Sequence, residues 1–594
     1  MITYQIGLPE PHTHSFHVTL TIPAPHAEQR VSLPVWIPGS YLVREFARHL
    51  SGLQATHRGK PVAVQQIDKA TWLVRCKPGA ALTLSYRVYA FDTSVRAAFL
   101  DAQRGFFNGT SLCLRAEGFE QRLHRLELPT LPEGWQVATS LPALSVDAAG
   151  RGAYGAADYD ELVDHPVELG TFWRGTFEVR GAEHELVVAG ALPDFDGERL
   201  LADTQRICEA QIAFWHGAAD VPPFAHYVFL LNAVDDSHGG LEHRASTALI
   251  APRRDLPQRG KPESVTLSDG YVSLLGLISH EYFHTWNVKR LRPAEFARYD
   301  YTRENYTELL WFFEGFTSYY DDLLLRRAGL IDDERYLRLL AKTVSGVLAT
   351  PGRQVQSVAQ ASFDAWVKYY RTDENTPNAT ISYYTKGALV ALALDLSLRS
   401  EAGAAKRGGR AATLDTVMRH LWAASAGGPI SEADIAAALQ HVGRRSFAAA
   451  LAAWVHGTGE LPLQPLLAAA GVAWQPQSAT LAQRLGLRVS ESALTGVKVS
   501  HVLAGGAAQQ AGLSAGDELL ALDGWRLRRL DDALRLLAPG QAATLLAARD
   551  QRVLSLALTL PSTDAGNPLA AVSLALQDKP AQPALALRKA WLGT

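Results

Sequence analysis

The chain has 594 residues, of which 47% are hydrophobic and 20% charged, and a formal net charge of -3 at pH 7. That length exceeds what one hydrophobic core serves, so several domains are expected, and the near-neutral balance argues against a nucleic-acid or anionic-membrane partner. Cys76, Cys113 and Cys208 are odd in number and far apart. They offer neither a disulfide framework nor a metal-ligand spacing, and the N-terminus lacks the basic start and apolar core of a secretory leader. Both features point to a reducing, cytoplasmic setting. No apolar run is long enough to span a bilayer, the best, LVALALDLSL, being broken by Asp395.

In chain order, residues 1–168 read as a β-rich N-terminal domain. Alternating stretches such as Ser15–Ile22, Thr71–Cys76 and Leu82–Tyr89 recur between Pro- and Gly-containing turns, as in a sandwich. Strands continue between Gly170 and Gly190, followed by a helical pattern over Gly197–His216 and a strand at Tyr227–Asn232. From Tyr271 helices dominate, with clear periods at Asp333–Leu348, Tyr384–Leu398, Ala411–Ala424 and Glu432–His441. The run Lys406–Arg410 reads as an exposed basic loop and Leu461–Gln475 as a linker.

The chemistry is carried first by His280–Glu281–Tyr282–Phe283–His284. Apolar residues before it predict a buried helix, on which positions i and i+4 share a face, so both imidazoles can reach one metal ion. Glu281 sits one residue on, where it can address a metal-activated water rather than the metal. A catalytic zinc of this kind takes two histidines and a carboxylate. Glu314, among the aromatics of LWFFEGFTSYY, is an acid on an apolar helix that needs a cation, and it is preferred over Glu304 and Glu308 in their polar stretch. Trp286 and Trp311 read as core, and His238 and His243 as loop histidines exposed to solvent.

HEYFHTWNVKRLRP, LWFFEGFTSYY and WIPGSYLVREFARHL together resemble the glycyl aminopeptidase family of PDZ-bearing zinc peptidases, related to the aminopeptidase N family. The resemblance implies a multidomain α+β chain: a β-rich domain at 1–168, a thermolysin-like catalytic domain at 169–400, a helical region at 401–472, a PDZ domain at 476–562 and a tail at 563–594. The last domain is supported by GGAAQQAGLSAGDELLALDG, in which Gly512 and Gly516 suit turns with positive φ. The loop Arg484–Leu487 matches the position of the PDZ carboxylate-binding loop.

Two more motifs carry over by position. Gly239–Gly240–Leu241–Glu242–His243 resembles the Gly-x-Met-Glu-Asn segment, implying an edge strand that aligns the substrate and a Glu242 that binds its α-ammonium. Leu and His here replace Met and Asn. Tyr383–Tyr384–Thr385–Lys386–Gly387 resembles the Tyr-x-Lys-Gly segment, which selects Tyr384 as oxyanion donor, with Tyr383 the alternative. The implied enzyme is a zinc aminopeptidase, with one zinc per chain, that releases small N-terminal residues, Gly or Ala, from peptides, while the PDZ domain binds a peptide or a C-terminal ligand. Two rival readings are a zinc endopeptidase with PDZ-presented substrates and a PDZ adaptor with structural zinc.

Overall fold

A computed structural model describes residues 1–217, 221–260, 267–402, 412–536, 540–561 and 571–593. The basic run Lys406–Arg410 lies outside them. The chain divides into two compact units, one of Met1–Tyr306, Arg327–Ile331 and Leu421–Ile430, the other of Thr307–Arg326, Asp332–His420 and Ser431–Thr594.

The first unit begins with the β-rich domain. In Ser15–Ile22, Phe16, Val18, Leu20 and Ile22 are buried while their neighbours are not, which is the period-two pattern of a sheet with one face packed. This strand is central in an eight-stranded sheet running, in space, Ala143–Val146, Gly152–Ala156, His124–Leu128, Ile2–Gly7, Ser15–Ile22, Leu82–Tyr89, Leu50–His57 and Lys60–Val62. Two four-stranded sheets complete the domain around one continuous core.

A mixed five-stranded sheet follows, ordered Trp173–Val179, Ala182–Ala189, His226–Val234, Ser246–Pro252 and Gly239–Glu242. Its last member is a short edge strand, antiparallel to its neighbour, with Glu242 opposite Thr247. The helix Asp269–Phe283 packs on these two strands and on the helix Gly197–His216. Its start is fixed by Ser268, whose hydroxyl accepts the Tyr271 N–H at 3.1 Å. Ten of its residues are buried, so packing rather than an amphipathic stripe holds it.

The second unit is built on helices Leu310–Arg327, Asp333–Leu348, Thr385–Ala402 and Glu432–Gly443. Asp395, which interrupts the apolar run in the sequence, is fully buried. Its carboxylate accepts from Tyr319 Oη at 2.6 Å, Arg399 Nε at 2.9 Å and the Leu414 N–H at 2.8 Å. The stretch read as a linker contains a helix, Leu463–Ala469, and a strand, Val472–Pro476. That strand pairs antiparallel with Val572–Leu576, so the two strands bracket the PDZ region. Inside it, strands Leu487–Ser492, Gly496–Val502, Glu518–Leu522, Ala542–Arg549 and Arg552–Thr559 enclose a separate core. Gly512 and Gly516 have φ of +82° and +89°, the positive values expected. After the second bracketing strand, helix Gln582–Leu592 carries Trp591 into the helical core, its Nε1 donating to Tyr319 Oη at 3.0 Å. None of the described helices is long and apolar enough to cross a membrane.

Candidate metal centre and substrate edge

His280 and His284 lie in the last turn of Asp269–Phe283 and at its C-cap. The i, i+4 spacing aims both rings the same way, and their Nε2 atoms stand 3.1 Å apart. His284 Nδ1 lies 2.8 Å from the Asn287 carbonyl oxygen, to which an Nδ1–H donates, leaving the Nε2 lone pair for a ligand. Two nitrogens each about 2.0–2.1 Å from a tetrahedral ion would stand roughly 3.3 Å apart, so the pair suits one zinc.

The edge strand carries Glu242 and lies against the helix that bears Glu281. Alternation along Gly239–Glu242 turns Leu241 into the hydrophobic core, leaving only its backbone for any contact at the edge, and puts Gly240 and Glu242 on the opposite side. A Cβ on Gly240 would sit 2.2 Å from Glu281 Oε1, so the missing side chain is what lets the Glu281 carboxylate lie against the strand. Ligand atoms of Glu242, Glu281 and His284 all lie within 4.8 Å of one another. Glu242 is 4% exposed, and among the described residues no hydrogen bond or ion pair reaches its carboxylate. The cations beyond the strand pair with Asp164, although the Glu242 charge also helps to raise the Lys289 pKa. Lys289 Nζ is 2.6 Å from Asp164 Oδ1 and Arg244 Nε 2.8 Å from Asp164 Oδ2.

His243 is buried, with Nδ1 3.2 Å from Asp164, contrary to the exposed loop histidine expected. Burial pushes the Asp164 carboxyl up, but Lys289, Arg244 and His243 outweigh it and hold it well below the usual carboxylate range. His238 is exposed, as expected.

In the second unit Glu314 lies in helix Leu310–Arg327, 2% exposed. The next residue, Gly315, meets Gly387 of helix Thr385–Ala402 so closely that a Cβ on it would be 2.5 Å from Gly387 Cα. This crossing of two glycines brings Glu314 beside Tyr384. Burial, and after it the Glu314 charge, push the Tyr384 phenol well above its ordinary pKa and keep it a hydrogen-bond donor. Tyr383 is fully buried, whereas Tyr384 retains some exposure. Trp286 and Trp311 are both core, as expected.

Three neighbours escaped the sequence reading. Gly39, inside WIPGSYLVREFARHL, has φ +90°, and a Cβ there would stand 2.5 Å from Glu242 Oε2. Arg96 Nη2 donates to the Gly240 carbonyl at 3.1 Å. Tyr370 Oη lies 3.4 Å from Tyr384 Oη. Only the first had a signal, a glycine within a motif already singled out.

Residues 3–171 match the Peptidase M61 N-terminal domain, 273–390 the M61 glycyl aminopeptidase and 477–542 the PDZ domain. Among solved structures, an aminopeptidase N family protein from Idiomarina loihiensis is 37% identical, covers 100% of both chains and superposes with a TM-score of 0.91. An M1 zinc metallopeptidase from Deinococcus radiodurans is 16% identical over 78% of this chain and 94% of its own, with a TM-score of 0.46. No curated protein matches the sequence. These matches define a metallopeptidase that acts as an aminopeptidase. The chain belongs to the M61 glycyl aminopeptidase family.

Proposed function

We propose that the enzyme removes small N-terminal residues, glycine or alanine, from peptides, using one zinc ion held by His280, His284 and Glu314. The observation that carries the reading is the convergence of His280 Nε2 and His284 Nε2 at 3.1 Å, with His284 oriented by Asn287. Two imidazoles and a buried carboxylate are the donor set of a catalytic zinc, and zinc there would polarise the scissile carbonyl and acidify the attacking water. Glu281, beside the ligands but not among them, takes the proton of that water and passes it to the leaving amine. Tyr384 donates to the oxyanion.

Glu242 receives the substrate α-ammonium, and its buried carboxylate at the edge strand, beside Glu281 and His284, supports this role. Gly239, Gly240 and Leu241 offer backbone to the substrate along the edge. An ammonium anchor next to the metal leaves room for one residue before the scissile bond, which favours the aminopeptidase over the endopeptidase reading. The PDZ domain would take a peptide or a C-terminus as its own ligand. Cys76, Cys113 and Cys208 are free thiols, which supports placement in the cytoplasm.

Metal analysis of the purified chain, with a panel of aminoacyl reporters, tests the core of this. One zinc per chain is expected, lost together with activity in His284→Ala and in Glu314→Ala, with Gly and Ala reporters cleaved fastest. Full zinc in Glu314→Ala and loss in Glu304→Ala would overturn the ligand set.

A further inference from the structure

The second unit contains a cavity of about 170 Å³, well above the ~10–15 Å³ that one water needs. Its lining is divided. Val347, Leu389, Leu463 and Trp474 form apolar wall, and Lys386 and Arg353 supply two cations that are only 3% and 5% exposed.

The charges there do not balance. Lys386 carries three N–H donors, and its hydrogen bonding among the described residues is one contact to the Arg353 carbonyl oxygen at 3.3 Å. Arg353 uses Nε on Glu460 at 3.2 Å and Nη1 on the Leu348 and Thr350 carbonyls at 3.0 and 3.4 Å, leaving its Nη2 donors for another acceptor. Glu460 is the one acid in the lining, and its side chain is 61% exposed. Solvent therefore screens the one countercharge in the lining, while both cations are desolvated. Burying an ammonium without an anion is expensive, and a cavity beside it is where the anion fits.

We propose that this cavity binds a small organic monocarboxylate, its carboxylate on Lys386 and Arg353 and its short alkyl tail against Trp474 and Leu389. A planar carboxylate matches the guanidinium fork and the ammonium together. Beyond the two cations, Glu460 and Gln464 the lining side chains are apolar, and the Glu460 carboxylate repels a further anionic oxygen, which disfavours phosphate or sulfate with their outward charged oxygens. Lys386 follows Tyr384 by two residues, but none of the proposed catalytic residues lines the cavity, and the assignment does not depend on the zinc reading.

Calorimetric titration of the full-length, zinc-loaded enzyme with propionate and with its neutral isostere propionamide tests the assignment. Propionate should bind saturably at one site and propionamide at least tenfold more weakly. Lys386→Met should weaken propionate at least tenfold. Val347→Phe, which fills the cavity and leaves both cations, should do the same, and it decides the matter alone if Lys386→Met does not fold. Propionate binding should persist in His284→Ala. Equal binding of the two probes, binding of neither, or unchanged propionate binding in Val347→Phe would each overturn the site. Loss in His284→Ala with retention in Lys386→Met would instead place the carboxylate at the metal.

Discussion

Two glycines hold the acids of the candidate site in place by what they lack. Gly240 clears Glu281 and Gly39 clears Glu242, so each can be tested without touching the acid itself. Gly240→Ala should keep zinc while kcat/KM falls roughly ten- to a hundredfold, because a Cβ 2.2 Å from Oε1 forces the proposed general base aside. Glu281→Gln removes the proposed proton acceptor outright, and turnover should fall by about 10³ or more with zinc retained. Near-normal turnover in either variant would move the base elsewhere. Glu242→Ala should cost about 2–4 kcal/mol in kcat/KM on free-amine peptides and much less on N-acetylated ones. Gly39→Ala should reproduce that selectivity, and equal losses on the two substrates would remove Glu242 as the ammonium anchor.

The proposed ligands and base stand out in the sequence as motifs because zinc chemistry would demand fixed residue types at fixed spacing. The sequence did not disclose Asp164, more than a hundred residues away from its partner Lys289 in the chain. That pair sets a pH dependence. The Asp164 pKa is lowered in the fold, so its contribution is complete above the unfolded value of about 3.9 and disappears as pH falls through the folded one. Asp164→Asn should therefore be strongly destabilised at pH 7, and its deficit against the parent in urea titrations should shrink only below about pH 4.

At the scale of elements, the helices with strong periods were legible almost to the residue, as at Gly197–His216 and Asp333–Leu348. What periodicity cannot show is how two helices approach. The Gly315–Gly387 crossing joins Glu-Gly-Phe to Tyr-x-Lys-Gly, turning two motifs distant in sequence into one local arrangement. Gly387→Ala places a methyl 2.6 Å from the Trp311 carbonyl oxygen, and the helices must separate. A loss of about 1–3 kcal/mol in chemical denaturation is expected, with a fall in kcat from the displaced Tyr384. An unchanged denaturation midpoint would mean that the crossing is looser than described. The strand Val472–Pro476 was read as a linker because its partner lies almost a hundred residues on, beyond any local window.

For the whole molecule, the chain order of domains suggests a PDZ module appended at the end, but the pairing of Val472–Pro476 with Val572–Leu576 makes it an insertion. Cutting the chain after Gln475 would remove not only the PDZ core but also a strand partner and Trp591. That truncation should be insoluble or unfolded in its second unit. Replacing residues 478–570 by a two-residue turn should instead give a folded, zinc-loaded enzyme active on dipeptide reporters. Inactivity of that folded excision variant would assign the module a part in shaping the active site. Contact already exists: Asn378 donates to the Val502 carbonyl at 2.9 Å and accepts from the Ala504 N–H at 2.8 Å.

Trp591 also has a consequence for the order in which the second unit can be completed. The fully buried indole that fills the helical core is made only after the PDZ region, so the helices before that region wait with an open apolar seat until it has been synthesised. A chain without Gln582–Leu592 carries every proposed catalytic residue and an unfilled core, whose exposed seat marks it for chaperones and proteases. In a pulse-chase measurement the parent should therefore outlive a variant that lacks only this helix.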